Sequence, residues 1–184
     1  MKLIDCFVFE KELDWLQYRL NMLDPYVDTF VIVESIFDSK GQHKRLYSED
    51  IPDVMEQYQH KMCHIVLDSF RYSEEERWKT GRYQFNCLYE GIDSLHLHDE
   101  DVLLLSHLDE TPESLVLERI KKKKLDVTIH SLGMSVYHKN TKLPQTWTKA
   151  KLLTYKMFKQ LCLSCSDIRE KEWPILHEGG WRLS

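Results

Sequence analysis

The sequence predicts an α/β fold: a mostly parallel sheet with flanking helices, followed by a smaller β-containing region. Three observations carry this expectation. Short apolar runs alternate with amphipathic stretches at helical spacing, the rhythm of β-α-β-α units. Phe30–Val33 and Val102–Leu105 are apolar without a break, as strands covered on both faces must be. A length of 184 residues with 11% aromatics suffices for one α/β domain with its own core.

Taken in order, Leu3–Phe9 reads as the first strand. Leu13, Leu16, Leu20 and Leu23 then recur at helical spacing, and Asp24-Pro25 marks the stop. Phe30–Val33 is the second strand, followed by a polar loop through Lys40-Gly41-Gln42. Residues 49–60 read as helix and Cys63–Leu67 as the third strand. From Glu74 one long helix is expected, with Trp78, Phe85, Leu88, Tyr89, Ile92 and Leu95 on its apolar stripe. Val102–Leu105 is the fourth strand, and a helix beginning near Pro112 ends in Lys121–Lys124. Beyond residue 125 the pattern turns β-rich, with Val127–Ile129, Met134–Tyr137 and Lys151–Met157, the last open between strand and helix. No internal repeat occurs. We therefore expect a single domain over 1–184, with a ligand-binding half at 1–112 and a second half at 113–184.

Composition excludes several classes. The longest apolar runs are about four residues, far short of the roughly 20 a membrane helix needs. Asp5 and Glu10 interrupt MKLIDCFVFE before a signal-peptide core could form. Five cysteines and the lack of an N-x-S/T sequon favour a reducing, cytoplasmic setting. The net charge of −5 and the lack of nucleic-acid-binding motifs argue against nucleic acid as a partner. The charge is uneven: residues 1–114 carry 11 basic and 24 acidic side chains, residues 115–184 carry 14 and 6. The Lys121–Lys124 run reads as a solvated helix end, or else as a basic wall for a phosphate-bearing ligand. Cys162 and Cys165 have CxxC spacing, but no second pair follows to complete a zinc site. His96-Leu97-His98-Asp99 precedes a strand, at the rim opposite the expected site.

Open parallel sheets bind ligands beyond the carboxyl ends of their strands. Those ends carry Glu10, Glu34, Asp68 and the run Ser106-His107-Leu108-Asp109-Glu110. Acidic groups gathered at one rim suit a metal-assisted site, and they equally suit helix N-termini. Position alone leaves both readings open.

The fourth strand end carries a family resemblance. LLLSHLDETP resembles the I-I-S-D-x-D-E-I-P segment of the family 17 glycosyltransferases, which include β-1,4-mannosyl-glycoprotein N-acetylglucosaminyltransferases. IDCFVFEKELDWLQYRLNMLDPYVDTFVIVES resembles the family's opening, I-D-C-F-x-F-x-N-E-L-D-x-L-x-x-R-L followed by V-D-x-F-V-I-V-E. GQHKRLY resembles G-K-x-K-x-L-x, WTKAKLLTYKMF a later G-T-K-x-L-x-Y segment, and GGWRLS the family's G-G-W-H-F-S. The matches run in order along essentially the whole chain.

This resemblance implies a GT-A-like, Rossmann-like fold with an acceptor-side region after it. It implies inverting transfer of a sugar, GlcNAc from UDP-GlcNAc, to a glycan hydroxyl. A divalent cation would neutralise the departing diphosphate, a carboxylate would take the acceptor proton, and basic or amide groups would hold the phosphates. A catalytically degenerate member that only binds nucleotide sugar or glycan is the alternative, and a plain interaction domain is a third. The resemblance implies a Golgi enzyme with an anchor in animals, whereas a chain starting at the catalytic domain suits a cytoplasmic microbial or viral enzyme. Family members also run on past GGWRLS, so part of the acceptor side is expected to be missing.

Three departures shape the expected site. The first aspartate of the family's D-x-D is His107 here and the second is Asp109. Exchanging a carboxylate for an imidazole favours Mn²⁺ over Mg²⁺, with Asp109 as a ligand or a helix N-cap, and His107 as a ligand, a ribose contact or a local hydrogen-bonding residue. The family's W-E-R-E-x-x-Q-R-N corresponds to Trp78–Asn86: Trp78, Gln84 and Asn86 match, Phe85 stands at the arginine position, and Arg82 is the substitute for the phosphate. Glu110 is expected to serve catalysis by supporting the metal, or to be an ordinary first-turn helix residue. Glu178, before Gly179-Gly180, is a candidate general base, its glycines allowing close approach to a ligand. Glu34 would contact ribose or act as base, and Lys44 and Arg45 would meet the diphosphate. Trp181 would stack on a sugar or belong to the core.

Overall fold

The computed structural model describes residues 1–38, 40–69, 76 and 79–183. The described residues form a mixed α/β sheet of nine strands in the order β3-β2-β1-β4-β8-β6-β9-β5, with β7 paired to β6. The strands are β1 (Leu3–Phe9), β2 (Thr29–Ser35), β3 (Met62–Leu67), β4 (Val102–Leu105), β5 (Glu110–Pro112), β6 (Ile129–His138), β7 (Thr141–Trp147), β8 (Lys151–Thr154) and β9 (Ile175–Leu183). The first four are parallel to one another, with β1 between β2 and β4. From β8 onward the pairing is antiparallel, except for the parallel pair β6 and β9. One continuous sheet thus crosses the expected division at residue 112.

Strand periodicity divides the core. Leu3, Phe7 and Phe9 of β1 face one side with Phe30, Ile32, Val102 and Leu104. They pack on Leu16, Leu20 and Leu23 of α1 (Leu13–Leu23) and on Val116, Leu117 and Ile120 of α5 (Ser114–Lys121). Ile4, Cys6, Val31, Val33, Leu103 and Leu105 face the other side. There they meet α3 (Thr80–Asn86), α4 (Leu88–Ser94), α6 (Tyr155–Leu161) and α7 (Cys165–Glu170) through Phe85, Leu88, Ile92, Phe158 and Ile168. The stretch 49–60 divides into a 3₁₀ turn at Tyr47–Asp50, α2 (Pro52–Tyr58) and a second 3₁₀ turn at Gln59–Lys61.

Several boundaries differ from expectation. The long helix is broken at Cys87 into α3 and α4, which lets Phe85 and Leu88 both reach the same core. The start expected at Glu74 and the stripe residue Trp78 lie outside the described residues. The two short strands expected after residue 125 are one ten-residue strand, β6. Lys151–Met157 resolves as β8 running into α6, with Thr154 as N-cap accepting from the Met157 N–H at 3.2 Å. Strands β5, β7 and β9 had no clear periodic signal, because they are short, largely exposed or interrupted by glycine.

Candidate active site

The parallel strands deliver their carboxyl ends to one rim, where β1, β2 and β4 open onto two adjoining cavities. The larger, about 660 Å³, is lined by Glu10, Glu12, Trp15, Gln84, His107 and Asp109, with Lys139 and Asn140 among its other walls. The smaller, about 260 Å³, lies against Phe9, Ser35, Phe37, Lys44 and Tyr47. Glu10 and Gln84 belong to both, so the two make one continuous trough.

The Ser106–Glu110 loop forms one wall, and an arginine fixes it from beneath. Asp5 is a buried charge on a central strand, and it faces α1. There Arg19 meets it with a two-pronged pair, Nε to Oδ2 at 2.8 Å and Nη2 to Oδ1 at 2.7 Å. The same guanidinium donates to Ser106 Oγ at 2.5 Å and to the carbonyls of His107 at 3.0 Å and Glu110 at 2.7 Å. Arg19 and Asp5 are fully buried, so every donor needs a partner, and the loop supplies them.

Glu110 locks the loop from the other side. Its carboxylate takes a forked pair from Arg169 at 2.7 and 2.5 Å, the Trp147 indole N–H at 2.5 Å and the His107 amide at 2.8 Å. Burial pushes its pKa up, but Arg169 and the His107 amide outweigh this and hold it below the carboxylate range. Both oxygens are occupied and the residue is 0% exposed, so Glu110 braces the loop from inside and does not line the trough.

His107 stacks on Phe85, with ring centroids 5.4 Å apart. Its pKa is held below the usual histidine range by desolvation and then by the Arg169 charge. Asp109 accepts from Arg182 Nε at 2.8 Å, and that guanidinium lies 3.9 Å over the Trp147 ring. The donor set fits a resident divalent cation poorly. Asp109 is already neutralised by a guanidinium, its neighbour is an imidazole, and no group of three or more His, Cys, Asp or Glu side chains gathers as ligands among the described residues.

The remaining candidates separate into two groups. Gln84 lines the trough, and Lys44 lines its smaller arm, its ammonium 4.6 Å from the Tyr47 ring. Desolvation holds the Lys44 pKa below its usual value, with Glu34, Glu10 and Asp38 opposing. Arg45 instead pairs with Asp50 at 2.9 Å outside both cavities. Glu34 is buried, accepting from the Tyr47 amide at 2.6 Å with His64 Nε2 at 3.2 Å, and it lines neither cavity. Burial raises its pKa, but His64, Ser48 and Tyr47 more than offset that and leave it lowered.

Arg82 pairs with Asp167, and Asn86 Oδ1 accepts the Ser166 amide at 2.9 Å. Both seat α7, whose Arg169 then reaches Glu110 and lies 5.4 Å over Phe85. Trp181 packs on Tyr18 at 5.8 Å, and neither it nor Glu178 lines the trough. The close approach at Gly179 and Gly180 is internal: a Cβ at Gly180 would lie 2.1 Å from the Thr111 carbonyl oxygen, and one at Gly179 2.8 Å from Leu132 Cβ.

Glu12, Trp15, Lys139 and Asn140 carried no local signal, since only tertiary folding brings them to this rim. Glu10 had one, its place just past β1. Away from the rim, Lys121 pairs with Asp28 at 2.7 Å and Lys122 pairs with Glu118, as a solvated helix end would. Cys165 is buried and its thiol pushed up to about 12 by desolvation, while Cys162 is exposed, so the pair is not a matched redox couple.

The fold is GT-A-like, an architecture shared with solved glycosyltransferases. The mannosyltransferase PcManGT from Pyrobaculum calidifontis, in complex with GDP-Man and Mn²⁺, superposes with a TM-score of 0.58 at 8% identity, over 100% of this chain and 56% of that one. S. aureus TarS 1-349 superposes with a TM-score of 0.55 at 11% identity, over 89% of this chain and 50% of that one. The profile of Glycosyltransferase family 17 matches residues 1–182, and the chain belongs to that family. It is 28% identical over 116 residues to the β-1,4-mannosyl-glycoprotein 4-β-N-acetylglucosaminyltransferases of Rattus norvegicus and Homo sapiens. That match covers 60% of this chain and spans 22% of the length of each relative.

Proposed function

We propose that this chain is a glycosyltransferase that binds a nucleotide-sugar donor along the trough and passes its sugar, GlcNAc from UDP-GlcNAc, to a glycan hydroxyl with inversion. The observation that carries the reading is the trough itself. A small cavity bounded by Phe37, Lys44 and Tyr47 suits a nucleoside, and it opens past Glu10 and Gln84 into a larger one with room for sugar and acceptor. Family membership and the names of the relatives, mannosyl-glycoprotein N-acetylglucosaminyltransferases, support this choice of sugar and acceptor.

In the transfer, the acceptor oxygen bonds to the sugar's anomeric carbon while the bond from that carbon to the diphosphate oxygen breaks. The electron pair leaves on the nucleoside diphosphate, and the acceptor proton passes to a carboxylate. Glu10 and Glu12 line the larger cavity and, among the described residues, neither pairs with a guanidinium, so the base is drawn from them; Glu178 lies off the trough. Manganese is named with the archaeal relative; in this chain a metal-assisted variant would have to draw on Asp109 and His107, a donor set that fits such an ion poorly. The five free thiols support work in a reducing compartment, and no described helix is long and apolar enough to cross a membrane. A binding member without turnover is the second reading, favoured by His107 in place of an aspartate.

The test is transfer from labelled UDP-GlcNAc to a β-mannosyl glycan, with release of UDP followed in parallel. Transfer that falls about 100-fold or more in Glu10→Gln or Glu12→Gln supports the reading. UDP-GlcNAc binding without any transfer selects the binding member, and neither binding nor transfer rejects both.

A further inference from the structure

We propose that Arg182 supplies the positive charge that faces the donor's diphosphate, so that this chain binds a nucleoside diphosphate without a divalent cation. The inference rests on the nucleotide-sugar reading above and concerns the same trough.

Charge is the first argument. A departing diphosphate needs a cationic partner, and metal ions and guanidinium groups are the two that proteins commonly provide. At this rim the carboxylate expected to bind a metal, Asp109, already holds Arg182 at 2.8 Å. A divalent ion on Asp109 would have to displace that guanidinium, and His107 adds no negative charge to repay it.

Construction is the second. Arg182 is built in from two directions. Its guanidinium lies on the Trp147 ring at 3.9 Å, and Trp147 is itself fixed through its indole N–H to buried Glu110. The Nε donates to Asp109, and among the described residues the two Nη groups carry no other hydrogen bond. The planar fork is therefore held flat beside the wall residue Asp109 with donors to spare, the geometry that suits two phosphate oxygens. Arg182 is partly open, and its neighbours Asp109 and Leu183 are both cavity wall.

Placement is the third. Lys139, at the turn between β6 and β7, lines the same cavity and gives the diphosphate a second cation from another element. Lys44 lies along the smaller arm. Lys139 and Lys44 thus line the trough from two separate loops, and Arg182, on β9, stands behind the wall residue Asp109.

The test is calorimetric binding of UDP, with GDP as a second probe, to the full chain in EDTA and again with added Mn²⁺. Arg182→Gln, Arg182→Lys and the surface control Lys122→Gln are measured alongside. The expected result is binding in EDTA that Mn²⁺ changes by less than about threefold, and a loss of about tenfold or more in Arg182→Gln, equal to about 1.4 kcal/mol. Arg182→Lys should lie between, since it keeps the charge and loses the fork. Binding that needs Mn²⁺, or an Arg182→Gln protein that binds as tightly as the parent, overturns the inference and leaves the donor reading standing. If the Arg182 variants do not fold, the EDTA comparison on the parent chain decides alone. If neither nucleotide binds under any condition, the donor reading falls and the inference with it.

Discussion

Arg19 shows how one side chain joins the fold to the site. Its guanidinium spends its donors on Asp5 and on the Ser106–Glu110 loop, all in the interior. Lysine keeps the charge but cannot make that fork, and a buried Asp5 would lose part of its partner. Arg19→Lys should cost about 3 kcal/mol or more in urea unfolding, within the range for broken buried pairs. His107 offers a pH test. Its folded pKa lies below the usual value of about 6.5, so above that pH both states are neutral and its contribution is fully present. As pH falls, the unfolded chain takes up the proton first, and the native state loses stability. Between pH 7 and 5 the melting temperature of the parent should fall more steeply than that of His107→Gln; parallel curves would contradict the assignment. Glu34 and Glu110 act lower, since their depressed pKa values hold stability that is lost only as pH falls below the ordinary carboxylate value near 4.5.

At the scale of elements, the site depends on short pieces that hold one another. Helix α7 has only six residues, and it is positioned by its Ser164 cap and by Asn86 reaching across from α3. Its position in turn sets Arg169 on Glu110. Strand β9 holds Arg182 through pairing with β5 and β6, and that pairing needs Gly180. The φ of +143° there is one that side chains rarely adopt, and a Cβ would collide with the Thr111 carbonyl. Gly180→Ala should therefore cost more than about 2 kcal/mol and weaken nucleotide binding together with stability, read by unfolding and calorimetry on the same preparation. A stable variant with unchanged binding would show that β9 does not set the site. These elements also mark the limit of the sequence reading. The apolar runs of β1, β2 and β4 were legible because burial on both faces leaves no polar alternation. β5, β7 and β9 were not, because each is fixed by partners distant in sequence. The loop at 106–110 was legible as a site through its strand-end position and its resemblance to the family motif. Which of its carboxylates faces outward was not, because that depends on Arg169 and Trp147, 59 and 37 residues away.

For the whole molecule, one sheet joins the parallel and antiparallel parts of the chain. Its parallel part supplies the rim where a nucleotide is expected, and its antiparallel part returns Lys139, Trp147 and Arg182 to that rim. Asymmetry of charge along the chain follows the same division, the basic C-terminal part meeting an acidic N-terminal part at the trough. The central claim is that a nucleotide-sugar donor lies along this trough, and hydrogen exchange with and without UDP-GlcNAc tests it most directly. The account predicts slowed exchange in residues 8–12, 43–48, 106–110 and 137–141, with Lys121–Lys124 and the Cys162–Cys165 region unchanged. Protection confined to the lysine run, or to any face away from the ends of β1, β2 and β4, would contradict it.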